Sequence, residues 1–64
     1  MTIPELAAAR DTVLARLEVR WAWCAANPDH PKHVEREITC LLDLRAYERA
    51  EDALRQALDW EAVG

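Results

Sequence analysis

Four side chains able to bind a metal or act as nucleophiles, Cys24, His30, His33 and Cys40, flank the one strong break in this chain, Asn27-Pro28-Asp29-His30-Pro31. Thiolate and imidazole are the ligand types of a tetrahedral zinc site, and a thiol with a positioned base is the pairing of cysteine nucleophilic catalysis. Their spacing argues against both. Cys24 lies within one turn of the break, whereas Cys40 is expected two turns or more beyond it, so the four do not readily converge on one ion. A zinc-dependent sensor is therefore the weakest functional reading. His33 is expected to be an exposed first-turn residue facing Glu37, His30 a loop or capping residue, and both cysteines helix-face residues acting as small hydrophobes. With two thiols, no dense cysteine framework and no recognisable secretory signal, a disulfide is not expected.

Other routes to chemistry close quickly. Serine is absent and Gly64 is the only glycine, which leaves no Ser-based triad and no glycine-rich loop to cradle a phosphate. Glu35 and Glu37, or Glu51 and Asp52, are one or two residues apart, so on a helix they point away from each other and cannot share acid–base work. The expectation is a non-enzymatic protein with no catalytic residue, no cofactor, no metal and no small-molecule substrate.

The elements that hold these residues are two Ala- and Leu-rich segments that both read as helix. Each start carries a capping side chain, any residue, then proline: Thr2-Ile3-Pro4 and Asp29-His30-Pro31. A first-turn proline lacks only an N–H that had no partner there. Thr2 with Glu5 also makes a capping box. Asn27 suits a left-handed C-cap, and Pro28 forbids continuation. The sequence thus predicts one all-α domain over 1–64: helix 1 over about 3–26, a loop over 27–30 and helix 2 over about 31–61. A loop this short requires an antiparallel two-helix hairpin.

Ile3, Leu6, Ala7, Val13, Leu14, Leu17, Trp21 and Cys24 gather on one stripe of helix 1, its expected inner face. On helix 2 the expected seam runs Cys40, Leu44, Tyr47, Glu51, Leu54 and Leu58. Folding at residues 28 to 30 sets Leu17 near Leu41 or Leu44, Leu14 near Leu44 or Tyr47, and Ala7 near Leu54. Arg10 lies mid-stripe and Glu51 mid-seam, at similar height. Two placements are open to Arg10: a bidentate ion pair with Glu51, within the hairpin or across a dimer, or a head that snorkels to solvent past Ala7 and Ala9.

Further apolar positions do not fit inside a lone hairpin. Val34, Ile38 and Leu41 make a second stripe on helix 2; Val19 and Trp23 lie off the inner face of helix 1; Ala46, Ala50, Ala53 and Ala57 form a small-residue seam leading to Trp60. Ala8, Ala15 and Ala22 offer another at heptad spacing. A single alanine is merely a good helix former, but the combined set, flanked by tryptophans, predicts an interface. A homodimer forming a four-helix bundle is the simplest arrangement. It would also support a chain of 64 residues, which alone buries only about 60% of its unfolded surface.

Charge narrows the partner. The first 27 residues balance Glu5, Asp11 and Glu18 against Arg10, Arg16 and Arg20, so the net charge of -4 belongs to the remainder. That disfavours direct nucleic-acid binding, which needs clustered Lys and Arg; Glu48 and Asp52 interleave with Arg45 and Arg49 as on a solvated helix face. An acidic helical rod suits a basic protein surface. No apolar run approaches the roughly 20 residues of a membrane span, and a soluble, cytoplasmic protein is expected. Tyr47 to Leu58 resembles the second helix of a tetratricopeptide repeat, and Asn27-Pro28-Asp29 that repeat's linker. Their separation is off register and no glycine turn precedes Tyr47, so one unbroken helix is the reading adopted.

The function expected is a protein–protein interaction module: an adaptor, regulatory subunit or small inhibitor, of a size and charge common among phage and mobile-element inhibitors. The alternative is a structural protein whose whole role is dimerisation or oligomerisation. The partners expected are a second copy of this chain and another protein, with no membrane involved.

Overall fold

The computed structural model describes residues 1–63; Gly64, the last residue of the expected domain, and the side chain of Val63 lie outside the described residues. Among the described residues the chain is two antiparallel α-helices, α1 over Ile3–Ala26 and α2 over His33–Val63, and the segment joining them. The hairpin is a rod of 52 × 14 × 14 Å with a radius of gyration of 14.9 Å. A compact chain of this length would have about 11 Å.

The start of α1 follows from its first residues. Thr2 is extended, its Oγ1 accepts from the Glu5 N–H at 3.4 Å, and the Glu5 carboxylate accepts from the Thr2 N–H at 3.5 Å and from its hydroxyl at 2.9 Å. Two backbone donors that the first turn leaves free are thereby satisfied. The far end differs from expectation. Asn27 has φ -129° and ψ 56°, outside the left-handed region, because the ring of Pro28 restricts the backbone of the residue before it. The helix end is closed by the Asn27 side chain, whose Nδ2 donates to the Trp23 carbonyl at 2.8 Å, and by its N–H, which donates to the Cys24 carbonyl at 3.3 Å.

The helix α2 begins at His33 rather than Pro31, because residues 31 and 32 are spent on a turn. Pro31 confines His30 as Pro28 confines Asn27. The cap expected from Asp29 comes instead from His30, whose Nδ1 accepts from the Lys32 N–H at 3.0 Å while its carbonyl accepts from the His33 N–H at 2.9 Å. From there α2 is unbroken, so the run resembling a tetratricopeptide helix is simply its later half.

The longer connection sets the register. Cys24 faces Cys40, Arg20 faces Asp43 and Arg10 faces Glu51, which centres the hairpin near residue 31 rather than at 28 to 30. Leu17, Cys24 and Cys40 form the buried core, with Trp23, Leu44 and Tyr47 packed on it, and Leu54 is buried farther along. Two expected inner-face residues fall outside: Trp21 is 51% exposed and Leu58 48%. Arg20, rather than Trp21, takes the inward place after Leu17 and is held there by its pairing with Asp43. Leu41, offered as a neighbour of Leu17, is exposed, and Leu44 takes that place. Among the described residues no helix is long and apolar enough to cross a membrane.

The capping box has a measurable weight. Thr2→Ala removes both side-chain bonds at the α1 start and should cost about 1 kcal/mol, lowering the melting temperature by roughly 4–8 °C. An unchanged melt followed by circular dichroism would show that the first turn is already frayed.

Candidate functional site

Asp43 is the most buried charged residue among the described ones, 6% exposed, and the sequence reading missed it. Its Oδ2 pairs with Arg20 Nη1, and its Oδ1 lies 3.5 Å from Arg16 Nε. Arg16 and Arg20 stand four residues apart on α1, so both guanidinium groups reach the same carboxylate. The Asp43 carboxylate crosses the helix interface and is bracketed by two bases whose heads remain half in water. A buried carboxylate needs such partners, since an unpaired one would carry its full desolvation penalty. The signal was present as an acid three residues after Cys40, on the seam itself, opposite a doubled arginine.

Farther from the loop, Arg10 Nη1 lies 3.5 Å from Glu51 Oε1 within the same chain. The bidentate geometry anticipated for this pair is not present. Arg10 directs its Nε and Nη2 to Oδ1 of Asp11 at 3.1 and 3.0 Å, and Glu51 Oε1 accepts from the Tyr47 hydroxyl at 3.0 Å. The hydrogen bond to Asp11, ahead of the charges of Asp11 and Glu51, raises the Arg10 pKa above its usual value. The bond to Glu51 does the same for the Tyr47 phenol. The arrangement is a small network across the two helices, and every member of it is partly solvated.

At the loop end the structure brings Cys24 and Cys40 together, with their sulfurs 3.9 Å apart and both buried. Sequence spacing alone had placed them at different heights, and the register centred near residue 31 is what aligns them. The histidines turn elsewhere. His33 sets Nδ1 at 3.1 Å from the Asn27 carbonyl and Nε2 at 3.5 Å from Glu37, and His30 stacks edge-on against Trp23 with ring centroids 5.0 Å apart. Among the described residues no group of three or more metal-ligating side chains forms.

The interface candidates divide into two sets. Val19, Val34, Ile38, Leu41 and Trp60 are exposed, Trp60 to 79%. Trp23 is not: it packs on the core, with the Arg36 guanidinium 5.3 Å above its ring. Ala46, Ala50, Ala53 and Ala57 are half-buried. Ala8, Ala15 and Ala22 face away from it and are exposed. Some of the exposed large residues share one flank: Trp21 lines a shallow groove with Cys24, Pro28, His33 and Glu37, and helical spacing sets Leu41, Val34 and Ile38 outward from Glu37 on the same side, whereas Val19 and Trp60 lie apart from it. Trp21, on this flank, was not among the sequence-derived candidates because it had been assigned to the core.

Compared with family models, with curated proteins and with solved structures, the chain matches none.

Two substitutions weigh the charged contacts. Asp43→Ala leaves two arginines without their shared acceptor and should cost about 2 kcal/mol, against less than about 0.5 kcal/mol for Asp52→Ala in the exposed Arg55–Asp52 pair. Equal melting temperatures for the two variants would sink the assignment of Asp43 as an interior clamp. For the outer network, Glu51→Ala should lower the melting temperature by less than Asp43→Ala does, and the double change Arg10→Leu with Glu51→Met should restore it. If all three outer variants melt with the parent, the Arg10–Glu51 contact sets nothing.

Proposed function

We propose that this protein is a non-enzymatic protein–protein interaction module, an adaptor, regulatory subunit or small inhibitor, working through the outer faces of its helices. The observation that carries the reading is the uncovered apolar flank of Trp21, Leu41, Val34 and Ile38 on a hairpin whose buried apolar residues, among those described, are Leu17, Cys24, Cys40 and Leu54. Exposed patches of this kind on small proteins mark contacts. The ionisable side chains nearest the interior support a structural role for themselves: Asp43 is held by two arginines, Glu51 by Arg10 and Tyr47, and His33 by the loop carbonyl.

A second copy of this chain is the first partner to consider, giving a dimeric four-helix bundle. The chain exposes 4931 Å², whereas a compact monomer of 7.3 kDa exposes roughly 4200 Å². The excess of roughly 700 Å² is close to the roughly 800 Å² that each partner contributes to a standard interface. The structural alternative, in which self-association is the entire role, rests on the same area, and the two readings separate on whether apolar surface remains after assembly. The net charge of -4 favours a basic face on any further protein partner.

Light scattering after size exclusion, with thermal melts over a dilution series, tests this. The expected result is a dimer whose melting temperature falls on dilution, with Ile38→Asp shifting the mass to monomer. A monomer with a concentration-independent melt would remove the four-helix bundle and leave the flank for a different protein. A monomer in which Ile38→Asp also raised solubility without loss of any binding in a partner screen would sink the interaction reading itself.

A further inference from the structure

Cys24 and Cys40 pack in the core, but neither that packing nor the proposed role uses their thiol chemistry. Cys24 comes from the last turns of α1 and Cys40 from the early turns of α2, and they meet across the interface with Sγ to Sγ 3.9 Å. Both are free and buried, 7% and 1% exposed respectively. A disulfide needs the sulfurs at about 2.05 Å, so roughly 2 Å of the 3.9 Å separation has to be closed. Cys24 lines a groove with Trp21, Ala25, Pro28, His33 and Glu37, whereas Cys40 does not and is less exposed.

We propose that Cys24 and Cys40 form a reversible redox site, joined by a small peroxide into an intrachain disulfide that locks the loop end of the hairpin. The roles of the two sulfurs differ. Burial, then the contact with Cys24, pushes the Cys40 thiol up from its ordinary pKa, so it stays protonated and is the later participant. The Cys24 thiolate attacks one peroxide oxygen; the O–O bond breaks, hydroxide leaves, and Cys24 becomes a sulfenic acid. The Cys40 sulfur then attacks the Cys24 sulfur, loses its proton, and displaces the sulfenic oxygen as water. Two thiols and one hydrogen peroxide give one disulfide and two waters, the sulfurs losing two electrons and the peroxide gaining them. Peroxide suits the site because it is small and uncharged, whereas Cys24 is only 7% exposed.

The consequence is mechanical. The bond would tie α1 to α2 at the point where the register is set, closing the chain across the whole loop. A loop of this size should raise the melting temperature by roughly 12–24 °C.

The test uses the full reduced protein with stoichiometric hydrogen peroxide, read by intact mass without reductant. The expected product is a single chain lighter by two hydrogen atoms, returned to the starting mass by dithiothreitol and melting higher than the reduced form. In Cys40→Ala the reaction should stop at a Cys24 sulfenic acid that a dimedone probe captures. The wild-type mass decides the matter even if that variant fails to fold. Oxygen added to either cysteine with no loss of hydrogen, a covalent dimer, or unreacted thiols would each overturn the proposal. Repeating the reaction at a dilution where the chain is monomeric separates this outcome from the dimer reading, since a thiol that stays unreacted there is not being shielded by a second copy.

Discussion

A carboxylate cannot lie between two helices unless something on the far side meets it, and Asp43 is therefore the constraint on which the packing of this hairpin depends. Sliding α2 by one turn along α1 would leave the Leu- and Ala-rich faces nearly as well matched, because alanine and leucine recur on both helices at similar intervals. It would not leave Asp43 opposite Arg16 and Arg20. Apolar burial supplies the attraction, whereas the charge cluster selects one alignment from several that the apolar residues would tolerate. The core of Leu17, Cys24 and Cys40 sits beside the cluster and inherits that alignment.

The architecture was legible because its signals are local. Thr2, Pro4 and Glu5 specify a helix start within four residues, and Asn27-Pro28 ends a helix with no reference to what it packs against. The register was less legible because it depends on how many residues the connection consumes. Pro28 and Pro31 both restrict the residue before them, and the added turn at 31 and 32 brings Cys24 level with Cys40, while the expected pairings of Arg10 with Glu51 and of Leu17 with Leu44 hold. Trp21 and Leu58 are nonetheless exposed, and Arg20 takes an inward place against Asp43. Hydrophobicity alone favours Trp21 over Arg20 for an inner position, and only the partner on the other helix reverses that preference.

The alanines illustrate the same limit from the other direction. Read along α2, Ala46, Ala50, Ala53 and Ala57 look like a surface prepared for a partner; in space they are half-covered by α1. Close to the loop, a flank of large residues beginning at Trp21 remains uncovered, and Trp60 is uncovered at the other end. The rod therefore has distinct sides: one where an aromatic ring, a histidine and an arginine close the loop, and one where apolar side chains meet water.

The side-chain-bonded connection has a kinetic meaning. Asn27, His30 and His33 fold the loop back on itself through contacts no more than six residues apart, and Cys24–Cys40, Arg20–Asp43 and Arg10–Glu51 lie at progressively greater separations beyond it. Each pair, once made, shortens the span that the next must close, so the entropy of closure is met in small steps rather than all at once. Such a chain zips from its turn toward its ends, which is the pattern of fast-folding helical proteins with mostly local contacts. The end carrying Thr2 and Trp60 is then the last to form and the first to open.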